Sequence, residues 1–205
     1  MWHQDVLPAS ARGALADLRQ VSLLTGFYLA GGTALALRLG HRRSRDLDFF
    51  SGEEFAEDTL LAQLQDLTGL SVLAKAPHSL HVILRDTRVS FLFYPYPLLF
   101  PCQAYCGVEV ADVRDIACMK ISAIASRGVR RDFVDLYAVS QLHPLQELVA
   151  LFQRKFARAS YSLVHILKSL TYFEDAEKDP FPEMLAPLDW EELKRFFAAE
   201  GPRLL

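Results

Sequence analysis

The stretch YLAGGTALALRLGHRRSRDLDFF, residues 28–50, constrains the fold more than any other part of the chain. It opens short and apolar and runs into two glycines, which predicts a buried strand ending in a tight turn. Residues 33–40 return to a helical pattern, with Gly40 as the terminator. DLDFF then reads as a second strand. Side chains alternate faces along a strand, so Asp46 and Asp48 point the same way while Leu47 points into the core. Their Cα atoms are expected roughly 6–7 Å apart. Two carboxylates so placed can share one or two Mg2+ ions, which take few protein oxygens and keep several waters. Gly31 and Gly32 let the backbone approach a ligand with no Cβ in the way. The helix starting near Thr33 aims free N–H groups and its positive end at the same place. An Asp-x-Asp or a glycine pair alone is common. The short helix joining them predicts one site for a phosphate and a metal.

A phosphatase of the haloacid-dehalogenase kind also uses an aspartate pair. It needs an apolar strand before the first aspartate and a Gly-Thr turn after the second. Ser44-Arg45 precede Asp46 here and Phe49-Phe50 follow Asp48, so that reading fails.

The 205 residues are 51% hydrophobic and 23% charged, enough for a buried core. FLFYPYPLLFPC (91–102) is the longest apolar run, and its three prolines and short length exclude a membrane span. MWHQDVLPAS lacks the basic and apolar sections of a signal peptide, so a cytoplasmic location is expected. Cys102, Cys106 and Cys118 lack zinc-like pairing and are expected as free thiols. His78 and His81 read as strand or loop residues rather than metal ligands. A net charge of −3 does not imply wholesale nucleic-acid binding through a basic surface. The arginines cluster instead: Arg38, Arg42, Arg43 and Arg45 before the first aspartates, and Arg127, Arg130 and Arg131 before a second set. Such mixed clusters fit a polyphosphate.

Around this motif, residues 8–25 have a helical pattern, with Leu15, Leu18, Leu23 and Leu24 among Arg12, Asp17 and Arg19. SGEEFAEDTLLAQLQDL predicts a third helix with an acidic start. HVILRDTRVSFLFY predicts two strands joined by a turn around Asp86 and Thr87, and Val108–Val110 one more. From Asp112 the texture becomes helical, with a break at Gly128 and further helices at 144–157, 160–173 and 188–199. The expected division is an α/β part, 1–110, and a helical part, 111–205.

The helical part carries its own polar set. Lys120 and Arg127, seven residues apart, share a helix face, as do Asp132 and Asp135, three apart. A lysine is a mobile point charge suited to phosphate oxygens, and an arginine can grip them as a fork. The aspartates could hold that lysine, orient a hydroxyl or accept its proton. The same spacing also suits a salt-bridged helix pair.

Together, LAGGTALALRLGHRRSRDLDFF and DIACMKISAIASRGVRRDFVDLY resemble the two motifs of the nucleotidyltransferase AbiEii/AbiGii toxin family, within the DNA polymerase β-like nucleotidyltransferase superfamily. The resemblance covers most of residues 28–137. It implies an α+β fold with a nucleotidyltransferase-like mixed sheet and flanking helices, followed by a C-terminal helical subdomain. It implies an enzyme that uses a nucleoside triphosphate (NTP) and Mg2+, with Asp46 and Asp48 on the metal and Gly31, Gly32 and Thr33 holding the triphosphate. Lys120, Asp132 and Asp135 would complete the site from the helical side, with Arg43, Arg45 and Arg127 adding positive charge. Some members are toxins with a separate antitoxin protein, and for some the acceptor is tRNA.

One position departs from the superfamily pattern, in which a neighbouring strand often supplies a third carboxylate. In TRVSFLFY that place falls to Ser90. Either another acid stands in, Asp132 first, or turnover is slow, or the protein binds nucleotide without transferring it. The expected function is therefore transfer of a nucleoside monophosphate from an NTP to an RNA or protein hydroxyl. A catalytically silent nucleotide- or partner-binding module is the alternative. An RNA-binding scaffold, supported by QRKFAR (153–158), is a third.

Overall fold

The computed structural model describes residues 1–20 and 24–204. The chain divides into two compact units, residues 1–97 with 101–112, and residues 98–100 with 113–205.

The first unit is built on a seven-stranded mixed sheet. In chain order its elements are α1 (Ala9–Gln20), β1 (Tyr28–Ala30), α2 (Gly31–Leu39), β2 (Leu47–Ser51), α3 (Glu57–Leu64), β3 (Leu70–Ala76), β4 (Ser79–Leu84), β5 (Thr87–Phe93), β6 (Gln103–Tyr105) and β7 (Val108–Val110). The strand order is β3-β4-β5-β2-β1-β7-β6. β2 runs parallel to β5 and β1 parallel to β7, while the other neighbours are antiparallel. The helix expected over 8–25 is seen as α1, and its predicted positions at 21–23, including Leu23, lie outside the described residues.

Hydrophobic alternation fixes the central register. Leu47 and Phe49 are fully buried, whereas Asp48 and Phe50 are half-exposed. Phe49 stacks on its in-register partner Phe91 at 5.4 Å between ring centroids, and Phe27 meets Phe91 edge-on at 5.3 Å. A one-residue slip of β2 would exchange Phe49 and Asp48 between faces, losing the burial of two large side chains worth about 1.5–3 kcal/mol each. The carboxylates are thus held outward by the apolar residues beside them. On the reverse side of the motif, α2 buries Ala34, Leu35, Ala36 and Leu37 completely, so its apolar run anchors the start of the helix.

Some predicted boundaries shift. α2 starts at Gly31 rather than near Thr33, because Gly31, at φ +68°, turns the chain directly off β1. Gly40 ends it as expected, at φ +66° with its N–H on the Ala36 carbonyl at 2.8 Å. The third helix is shorter than its acidic stretch. Ser51 closes β2 by hydrogen bonding Glu53 in both directions, and α3 begins only at Glu57. The β4–β5 turn is Arg85-Asp86, one residue earlier than expected.

The second unit contains α4 (Val113–Arg127), α5 (Arg130–Ser140), α6 (Leu145–Lys155), α7 (Leu163–Ser169) and α8 (Trp190–Glu200). Gly128 breaks α4 from α5 at φ +55°. Ser162 and Asp189 cap α7 and α8 by accepting from the backbone N–H groups of His165 and Glu191. Phe133 is a core pivot, with Phe173, Phe197 and Trp190 rings at 5.1, 5.8 and 6.2 Å. Asp115 is wholly buried, accepting from Lys155 Nζ at 2.7 Å and from the backbone N–H groups of Leu99 and Phe100 at 3.0 Å. Lys155 is therefore spent on the core, and of the basic run 153–158 only Arg154 and Arg158 carry charge at the surface. That removes the principal support for an RNA scaffold. No helix among the described residues is long and apolar enough to cross a membrane.

Candidate functional site

In the first unit the glycine turn and the acidic pair come together. Ala30, last in β1, is the antiparallel partner of Asp48, so the next residue, Gly31, passes directly beside that aspartate. A Cβ on Gly31 would stand 3.1 Å from Asp48 Oδ2. Glycine is needed twice over here, for the left-handed φ and for the space. Asp46 stands one residue before β2, and both aspartates are half-exposed on either side of buried Leu47.

The Thr33 side chain is engaged inside the unit. It is almost fully buried; its hydroxyl donates to the Asp46 carbonyl oxygen and shares a 2.7 Å hydrogen bond with Ser44 Oγ. The hydroxyl thereby ties the segment carrying the acidic pair to the first turn of α2. What remains for an anion is the backbone of the first helical turn, the amides of Gly31, Gly32 and Thr33, which precede the first i→i−4 bond.

The arginines divide. Arg38 is committed to Gln103 and to the Trp2 ring at 5.0 Å. Arg42 is buried and donates to the Arg43 carbonyl at 3.0 Å. Arg43 and Arg45 are exposed beside the aspartates in sequence. Mg2+ suits this donor set, since two carboxylates leave room for water and phosphate oxygens. Among the described residues no three His, Cys, Asp or Glu side chains gather as a full protein cage, as zinc would prefer.

Within the second unit, Lys120 Nζ lies 2.7 Å from both Asp132 Oδ1 and Asp135 Oδ2. Arg127 grips Asp132 as a fork, Nε on Oδ2 at 2.7 Å and Nη2 on Oδ1 at 3.0 Å. Both aspartates are fully buried and Lys120 nearly so. Burial pushes the Asp132 carboxyl up, but the charges and hydrogen bonds of Lys120 and Arg127 outweigh it and hold it below the usual carboxylate range. A carboxylate so stabilised is a weak base, and its geometry is that of a holder of Lys120. Arg130 lies over the Trp190 and Phe181 rings at 5.0 and 5.5 Å and packs the helical unit.

Sequence reasoning set His81 aside. It lies on β4 with Nδ1 3.1 Å from Ser90 Oγ and Nε2 3.2 Å from Ser79 Oγ. Ser90 is the parallel partner of Asp48.

A mixed sheet of this topology, with an acidic pair flanking the start of a strand and a glycine turn against it, defines a protein of the nucleotidyltransferase fold. More particularly, the chain belongs to the family described as nucleotidyl transferase AbiEii toxin, type IV TA system, whose sequence model matches residues 13–95 and 79–203. It is 39% identical over 197 residues to the uncharacterized protein aq_aa25 of Aquifex aeolicus (strain VF5), across 93% of this chain and 94% of that one. JHP933 from Helicobacter pylori shares the fold at a TM-score of 0.54 and 16% identity, over 97% of this chain and 93% of its own. So does MenT4, nucleotidyltransferase toxin Rv2826c from Mycobacterium tuberculosis H37Rv, at 0.55 and 18%, over 96% and 89%.

Proposed function

We propose that the chain transfers a nucleoside monophosphate from an NTP to a hydroxyl of an RNA, tRNA included, or of a protein, as the toxin component of a toxin–antitoxin pair. The observation that supports this reading is the apposition of Asp48 to Gly31, a carboxylate that would hold metal beside a helix start whose amides would meet phosphate. Asp46 and Asp48 would hold Mg2+, which when bound offsets charge on the α-phosphate and the leaving pyrophosphate. The amides of Gly31, Gly32 and Thr33 would receive phosphate oxygens, with Arg43 and Arg45 adding charge. Lys120, held by Asp132 and Asp135 and flanked by Arg127, is assigned to the same reaction as a positive group of fixed position. In the transfer, the acceptor oxygen bonds to the α-phosphorus, the bond from that phosphorus to the bridging oxygen breaks, and pyrophosphate leaves.

The test is incubation with each labelled NTP, Mg2+ and total cell extract, followed by identification of the labelled macromolecule. Asp48→Ala should abolish labelling while the circular dichroism spectrum stays that of the unaltered chain. Normal transfer by that variant ends this reading. Ser90 beside Asp48 favours one alternative, a silent nucleotide-binding module. Calorimetric binding of an NTP with Mg2+, without pyrophosphate release, would establish it.

A further inference from the structure

Three polar residues form a row across adjacent strands. Asp48 on β2 is in register with Ser90 on β5, and Ser90 with His81 on β4. In-register partners share a sheet face, so the row leads from the acidic pair through a hydroxyl to an imidazole. The imidazole is fixed at both ends, Nδ1 by Ser90 Oγ at 3.1 Å and Nε2 by Ser79 Oγ at 3.2 Å. A hydroxyl can donate or accept. Both ring nitrogens therefore keep a partner whether the ring is neutral, in either tautomer, or doubly protonated.

Ser90 is 4% exposed and its hydroxyl is paired with His81, while the apolar packing of the two strands lies on the other face. The packing of β4 comes from Leu80, Val82 and Leu84, all fully buried on the opposite face, and that of β5 from Val89 and Phe91. The chemistry needs something like this pair, because a hydroxyl attacking phosphorus must lose its proton. Lysine and arginine are already protonated, and the carboxylates of the acidic pair would be engaged in holding the metal. Asp132 is buried with its oxygens occupied by Lys120 and Arg127. Histidine is the side chain that takes up a proton near neutral pH and releases it again.

We propose that Ser90 and His81 form the proton path of the transfer reaction, Ser90 Oγ meeting the attacking hydroxyl and His81 acting through it. This rests on the transfer reading given above. The acceptor hydroxyl gives its proton to Ser90 Oγ as the Ser90 proton passes to His81 Nδ1. The freed electron pair makes the bond to the α-phosphorus, the bond to the leaving oxygen breaks, and its electrons depart on pyrophosphate. The imidazolium returns its proton to water. Ser90 is the catalytic residue of the pair and His81 a positioning and proton-accepting residue.

The experiment compares the full chain with His81→Gln, Ser90→Ala and the double variant His81→Gln/Ser90→Asp, using labelled ATP, GTP, CTP and UTP with Mg2+ and total cell extract. Single-turnover transfer should fall about 10²–10⁴-fold in each single variant, with NTP affinity unchanged. The double variant, which sets a carboxylate beside Asp48, should regain at least about tenfold over His81→Gln. A residue that only props the sheet would not be rescued in this way. Wild-type transfer rates in His81→Gln, loss of NTP affinity matching the loss of rate, or failure of the rescue would each overturn the proton path and leave the transfer reading standing. Absence of transfer by the unaltered chain would overturn both.

Discussion

Gly31 offers the sharpest test of how backbone geometry shapes the acidic pair. Its φ of +68° lies in the left-handed region, and a Cβ there would meet Asp48 Oδ2 at 3.1 Å. Gly26 is a matched control, with φ +86° and nothing within 4 Å of an added Cβ. Gly26→Ala should cost about 1–2 kcal/mol for backbone strain alone. For a chain of this length that lowers the thermal midpoint by roughly 2–8 °C. Gly31→Ala bears the same strain and must also displace Asp48. The β2 backbone cannot yield, because Leu47 and Phe49 on either side are fully buried, so the carboxylate rotates off its rotamer for about 0.5–1.5 kcal/mol more. The carboxylate must give by a few tenths of an ångström, so on the transfer reading the rate should fall measurably, by less than the ~10²-fold that a displacement of about 1 Å can cost. Thermal denaturation followed by circular dichroism, beside label transfer, measures both. The reasoning is refuted if Gly31→Ala melts with Gly26→Ala and transfers at the unaltered rate. A Gly26→Ala protein as stable as the unaltered chain would refute the strain argument itself.

The buried cluster of the helical unit makes a second prediction. Lys120→Met removes the cation shared by Asp132 and Asp135 and should cost about 3–5 kcal/mol, as for other broken buried pairs. Lys178→Met, at an exposed pair with Asp175, should hardly move the denaturation midpoint. Because Asp132 is held below its ordinary value of 3.8, the unfolded chain takes up that proton first as pH falls. Its contribution is complete above the unfolded value and lost as pH drops through the folded one, so urea denaturation of Asp132→Asn should show a flatter acid limb. Thiol chemistry supplies a third. Burial pushes the Cys118 thiol up to about 12, whereas Cys106 is exposed. Iodoacetamide should label Cys106 in the native protein and Cys118 only after unfolding. Equal native rates would contradict the burial.

Where sequence and structure agree, one local rule was sufficient. The turn at Gly31 and the stop at Gly40 follow from positive φ, and the outward set of Asp48 follows from alternation with Leu47 and Phe49. β3, the edge strand, gives no such signal, because six of its seven residues are exposed and no apolar face alternates with a polar one. Thr33 illustrates another limit: its hydroxyl partner is a backbone carbonyl thirteen positions away, and residue type does not encode which carbonyl a chain will bring near. The proton path shows how little separates legible from illegible. Arg85 and Asp86 occupy the β4–β5 turn at φ +51° and +61°, the two-residue hairpin geometry with positive φ at both central positions. That turn pairs Leu84 with Thr87 and so His81 with Ser90. A turn centred on Asp86 and Thr87, the placement expected from sequence, would pair His81 with Leu92 instead and break the row. Asparagine or glycine at those positions would have marked the turn; arginine at the first hid it. The pairing of His81 with Ser90, on which the proposed proton path rests, was thus concealed by a single step of register.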